Sequence, residues 1–120
     1  MRRDPIGLRH ALGGVVVVWR EQRNFRIEVA LGAAALALTV WLGASLVPVL
    51  LCCGLVLAAE AVNSAVEALV DLASPARDPR AGRAKDVAAG AVLLAAATSV
   101  VVGLIHLGPP LVARLSKGIP

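Results

Sequence analysis

Residues 29–57 form an unbroken uncharged run that Gly43, Ser45 and Pro48 interrupt near its middle. Those punctuating residues divide the run between two helices. The second helix must continue past Glu60 to about Leu72, because 47–59 alone is too short. Crossing ~30 Å of hydrocarbon takes ~20 residues at ~1.5 Å each. Residues 87–105 carry no charge and are long enough for a third span. The pattern therefore predicts transmembrane helices over 27–46, 48–72 and 86–107. Upstream, Leu8, Leu12, Val15, Val16 and Trp19 recur at helical spacing, with Arg9, Arg20 and Arg23 forming a basic side. Residues 6–23 are thus predicted as an amphipathic surface helix in the membrane interface, with a frayed basic tail as the competing reading. The predicted fold is an all-α membrane protein, a surface helix plus three transmembrane helices, in a single domain over residues 1–120.

Charge sets the orientation. Six of the twelve basic residues (Arg2, Arg3, Arg9, Arg20, Arg23, Arg26) precede the first span. Arg77, Arg80, Arg83 and Lys85 lie between the second and third spans or at the start of the third. Both regions belong on the cytoplasmic side by the positive-inside rule, which places the N-terminus in and the C-terminus out. Arg114 and Lys117 on the outer side are a mild exception. Residues 73–84 (ASPARDPRAGRA) read as a Pro/Gly/Arg loop whose arginines are either topological or face phosphates. No short apolar core with a small-residue cleavage site follows Arg2 and Arg3, so secretory processing is not expected.

The hydrophobic pattern is broken where chemistry is expected. Within the second span, Glu60, Asn63, Ser64, Glu67 and Asp71 are separated by 3, 1, 3 and 4 residues. At ~100° per residue they fall between about −60° and +40° of Glu60, on one face, with Ala, Val and Leu elsewhere. An ionised carboxylate near the bilayer centre costs several kcal/mol unless paired or hydrated. Asp71 can reach water at the end of the span, but Glu60 lies ~16 Å of helix deeper. A polar packing seam is the bland alternative. A cation or proton site facing a polar cavity is the reading the depth favours. Glu60 and Glu67 are two turns apart, too far to share one ion, which assigns them different roles. The deeper Glu60 suits proton transfer and the shallower Glu67 suits Mg²⁺ carried in on phosphates.

A second signal lies at the entrance to the third span. Asp86 is expected to cap that helix, and Lys85 with the free N–H groups of the first turn forms a phosphate-friendly site. Cationic groups, carboxylates for Mg²⁺ and a buried base together make the set that phosphoryl transfer needs. No Gly-x4-Gly-Lys-Ser/Thr loop is present. Ala88-Ala89-Gly90-Ala91 and Ala95-Ala96-Ala97 read as close helix packing, expected between subunits.

Composition agrees with a membrane setting. Of 120 residues 58% are hydrophobic and 17% charged, too apolar for a soluble domain of this size to bury. Mean hydropathy is +0.80. Aromatic residues are 2%, which argues against base-stacking platforms, so the +4 net charge points to membrane phosphates or an anionic substrate rather than nucleic acid. Cys52 and Cys53 are adjacent in an apolar run and read as small filler.

The pattern Glu60-x-x-Asn63-Ser64-Ala65-x-Glu67-x-x-x-Asp71, followed by Ala84-Lys85-Asp86, resembles the prokaryotic diacylglycerol kinase and undecaprenol kinase family of integral-membrane lipid kinases. Leu8-Arg9-His10-Ala11 and Asn24-Phe25-Arg26-Ile27-Glu28 extend the resemblance over nearly the whole chain. The resemblance implies a homotrimer in the bacterial cytoplasmic (inner) membrane that uses ATP and Mg²⁺ to phosphorylate a lipid hydroxyl at the cytoplasmic face. It matches Glu60 to a catalytic base, Asn63 to its polar partner, Glu67 to a metal and ATP ligand, and Arg9, Asp71, Lys85 and Asp86 to nucleotide-site positions. Where the family has a second metal-binding Glu, this chain has Gln22, with Glu21 beside it. Either Glu21 takes over as metal and nucleotide ligand through a one-residue helix shift, which is the favoured expectation, or the metal site has lost a ligand. Segments 70–75 and 84–92 look more like the undecaprenol-kinase branch than the enterobacterial diacylglycerol-kinase branch. Direct one-step transfer from ATP fits, since the stripe offers a base but no phosphoryl acceptor, and His10 and His106 read as structural. Two other readings are a small proton or ion carrier using the acid stripe as a relay, and a non-catalytic trimeric scaffold, which Gln22 favours.

Overall fold

Runs of Ala, Val and Leu this long leave the backbone no partners in hydrocarbon except its own, so they fold as helices. The computed structural model describes residues 7–118, and four helices make up nearly all of them: α1 (Leu8–Glu21), α2 (Arg23–Leu42), α3 (Leu46–Ala73) and α4 (Pro79–Ser116). The last three are long and apolar enough to cross a membrane. Polarity is arranged inside-out relative to a soluble domain. The outward faces carry exposed Leu, Val and Ile, whereas Thr39 and Glu60 are buried. Thr39 satisfies its hydroxyl on the Ala35 carbonyl at 2.7 Å, and Ser64, Thr98 and Ser99 likewise bond back one turn.

The α2–α3 turn closes for identifiable reasons. Gly43 adopts a left-handed φ of 67°, and the N–H groups of Gly43 and Ala44 bond the Val40 and Thr39 carbonyls at 3.0 and 3.1 Å. This is a Schellman closure, and glycine enters it without a Cβ penalty. Ser45 then caps α3 by accepting from the Val47 N–H, and Pro48 sits in the first turn where no N–H is needed. α2 accordingly covers Arg23–Leu42 where 27–46 was expected. α3 runs Leu46–Ala73 where 48–72 was expected.

The third span departs from expectation at both ends. The loop expected over 73–84 contracts to residues 74–78, because Asp78 caps α4 and Pro79 takes its first position. Asp78 accepts from the Arg80 N–H at 2.8 Å. Asp86 is therefore not the helix cap, and Lys85 stands more than a turn past the free N–H groups. At the other end α4 passes through Pro109 and Pro110 to Ser116, well beyond 107. Arg114 ties this extension down by donating to the Trp41 carbonyl while stacking 4.7 Å from the Trp41 ring centroid. His106 contacts the Ser45 carbonyl at 2.8 Å. At 38 residues α4 is ~57 Å long and overreaches the hydrocarbon core.

α3 packs mainly on α4 and secondarily on α2. Cys53 fits against Gly32, where an added Cβ would sit 3.1 Å from its Sγ, in accord with a filling role. α1 buries no residue of its own and exposes Leu8, Leu12, Val15, Val16 and Trp19. Its expected first residue Ile6, with Arg2 and Arg3, lies outside the described residues, and Arg23 belongs to α2 rather than to α1.

Candidate functional site

Four side chains of the stripe sit at graded depth on α3. Glu60 lies near the middle of the helix, ~21 Å from its start, and is only 6% exposed. One turn on, Asn63 Nδ2 donates to Glu67 Oε1 at 3.2 Å, which fixes the orientation of both. The other Asn63 atom, Oδ1, is buried without a partner. A buried acceptor left unpaired costs ~1–3 kcal/mol and marks a place where a donor or cation would be welcome.

Two clefts meet at Asp71. The first, about 560 Å³, runs between α1 and α3 and is lined by Glu21 and Gln22 on one wall and Ser64, Glu67 and Asp71 on the other. The second, about 510 Å³, lies under the 74–78 loop and is lined by Asp71, Ser74, Arg77, Asp78 and Lys85. Lys85 Nζ pairs with Asp71 Oδ1 across the α3–α4 junction at 2.5 Å. Asp78 at the α4 cap is held below the ordinary carboxylate range by hydrogen bonds from the Arg80 side chain and backbone.

The structure thus gathers Glu21, Gln22, Glu67, Asp71 and Lys85 around two adjoining clefts, with Asn63 and Glu60 deeper on the same helix. It does not bring Arg9 or Asp86 there. Arg9 is exposed near the start of α1, ~18 Å of helix from Glu21, and Asp86 is exposed on α4 outside both clefts. Among the described residues no three His, Cys, Asp or Glu side chains form a metal cluster. The donors nevertheless suit Mg²⁺, which is commonly held by one or two carboxylates with phosphates and waters completing its shell.

Glu28 is the residue that sequence reasoning passed over as a site candidate. On α2, it lines a third, largely apolar cleft of about 320 Å³ between α2, α3 and α4. Its signal was in the sequence: it is the last charge before the run at 29–57, already inside α2.

Comparison with known proteins places these features. Residues 9–107 match the family described as prokaryotic diacylglycerol kinase. A diacylglycerol kinase from Synechocystis is 43% identical over 92% of this chain, and the chain spans 65% of that relative's length. An undecaprenol kinase from Bacillus subtilis is 34% identical over 85% of each chain. A diacylglycerol kinase from Haemophilus influenzae is 33% identical over 72% of this chain and 76% of its own length. With three apolar helices of spanning length and a family match over most of its residues, the chain is a membrane protein belonging to the prokaryotic diacylglycerol kinase family, whose members are lipid kinases.

Proposed function

We propose that this chain is a MgATP-dependent lipid kinase, acting as a homotrimer in the bacterial cytoplasmic membrane with its N-terminus inside, that phosphorylates the hydroxyl of undecaprenol. The observation that carries the reading is the graded face of α3: a buried carboxylate at Glu60, an unpaired acceptor at Asn63, and a cleft into which Glu21, Glu67 and Asp71 contribute carboxylates. In this reading Glu60 accepts the proton of the lipid hydroxyl as its oxygen bonds to the γ-phosphorus, and the bond from that phosphorus to the bridging oxygen of ADP breaks. Asn63 orients the reacting groups. Glu21 and Glu67 would hold Mg²⁺, which when bound neutralises phosphate charge. Lys85, released from Asp71, meets the phosphates in its place. Arg9 and Asp86 lie outside both clefts of their own chain, so a role at the nucleotide requires a neighbouring subunit's site. The apolar side of α1 would lie in the cytoplasmic interface, where its exposed leucines and valines are covered by lipid.

Undecaprenol is favoured by the wording of segments 70–75 and 84–92 and by a relative of that name covering 85% of both chains. Diacylglycerol is the second reading, favoured by the 43% identical relative. The test is γ-phosphate transfer from MgATP by the purified protein in vesicles containing one lipid at a time. Preference for diacylglycerol would overturn the substrate alone. No transfer to either lipid, with proton flux instead, would overturn the kinase and leave an ion carrier.

A further inference from the structure

The cleft's α1 wall is held by an unusual joint. α1 and α2 are separated by one extended residue, Gln22, with φ −107° and ψ 106°. α1 buries nothing and makes few contacts with α3, so packing alone does not orient it. The side chain that spans the joint is Arg26, in the first turn of α2. Its Nη1 donates to the carbonyls of Trp19 at 2.6 Å and Arg20 at 3.0 Å. Those carbonyls belong to the last turn of α1, where the helix has no further N–H to offer. A cation at that end is also favoured by the helix dipole. The gripped turn leads directly into Glu21 and Gln22, which face Glu67 across the cleft.

We propose that Arg26 is a positioning residue that clamps the C-terminus of α1 and thereby presents Glu21 to Glu67. The inference rests on the reading of those two carboxylates as serving the nucleotide's metal. A purely topological arginine would sit in the headgroup region and would be replaceable by lysine, or by any cation, without consequence for α1. The clamp instead needs a donor within reach of two adjacent carbonyls, which a planar guanidinium supplies and glutamine does not.

The test reads geometry and catalysis separately. In a Cys52→Ala, Cys53→Ala background, nitroxides at Leu12→Cys on α1 and Leu72→Cys on α3 report the α1–α3 distance in lipid nanodiscs, diluted with unlabelled protein. Arg26→Gln is expected to broaden a narrow distance distribution at least two-fold. It is also expected to raise KM for MgATP about ten-fold with kcat within about three-fold, the pattern of lost ground-state positioning. Arg26→Lys should recover part of both. An unchanged distribution in Arg26→Gln overturns the clamp even if activity falls, as does full recovery of both readouts by Arg26→Lys. Should Arg26→Gln fail to fold, Arg26→Lys decides: a parent-like distribution and KM overturn the clamp, and intermediate values support it. If the parent shows no lipid phosphorylation, the functional reading fails, and the distance measurement still decides the clamp.

Discussion

Replacing Glu60 by glutamine keeps the shape of the side chain and removes only its ability to take a proton. The site is 6% exposed, so the change leaves packing volume nearly constant and opens no cavity. General-base catalysis is worth ~10²–10⁴ in rate, or ~2.7–5.5 kcal/mol of barrier. Stability should move the other way or not at all. Glu60 is a buried acid, and substituting a neutral group removes a carboxylate that the apolar surroundings solvate poorly. The expected signature is therefore split. Steady-state turnover with MgATP and lipid falls at least 100-fold, KM for MgATP stays within about three-fold, and the melting temperature in detergent is equal or higher. Turnover within about three-fold of the parent would refute the assignment of the base. A loss of activity accompanied by a lower melting temperature would show instead that Glu60 holds the bundle together.

Other substitutions address the remaining parts. Lys85→Ala should raise KM for MgATP about ten-fold while leaving the melting temperature within error, because its partner Asp71 is largely solvent-exposed and such pairs add little to stability. Glu21→Gln should shift the Mg²⁺ dependence of turnover to higher concentration, and adding Gln22→Glu should restore it, as read by Mg²⁺ titration at fixed ATP. Gly43→Ala should lower the melting temperature, at about 1–2 kcal/mol for a Cβ forced into φ 67°, without changing KM. Hydrogen bonds from the Arg80 side chain and backbone hold the Asp78 carboxyl below the usual aspartate range, so its capping contribution is complete at neutral pH. That contribution is lost as pH falls through the lowered value, and Asp78→Asn should flatten the acid limb of stability.

Much of the molecule was legible in the sequence because a bilayer enforces simple rules. Uncharged runs had to become helices, and the 3, 1, 3, 4 spacing put the polar side chains on one face of α3 whatever its neighbours did. Gly43 and Ser45 marked the turn by local chemistry. The α4 bounds were less accessible, because proline has opposite meanings by position: Pro79 starts the helix behind Asp78, whereas Pro109 and Pro110 are carried through it with Arg114 anchored on Trp41. Residues 73–84 have the Pro, Gly and Arg content of a loop, but Asp78-Pro79 within them is a helix start signal. The pairings of Lys85 with Asp71 and of Arg26 with α1 depend on side-chain reach between separate helices. Periodicity carries no such information. Glu28 was visible as a charge but not as part of the cleft between α2, α3 and α4, for the same reason.

In the proposed reaction the polar face of α3 passes a phosphoryl group directly from nucleotide to lipid. The decisive experiment mixes the protein in undecaprenol-containing bilayers with γ-labelled MgATP, quenches on the single-turnover timescale, and partitions the label. Direct transfer predicts label in the lipid phase in one-to-one proportion with ADP, and none on the protein at any time. ADP without lipid phosphate, or label accumulating on the protein before it reaches the lipid, would contradict it.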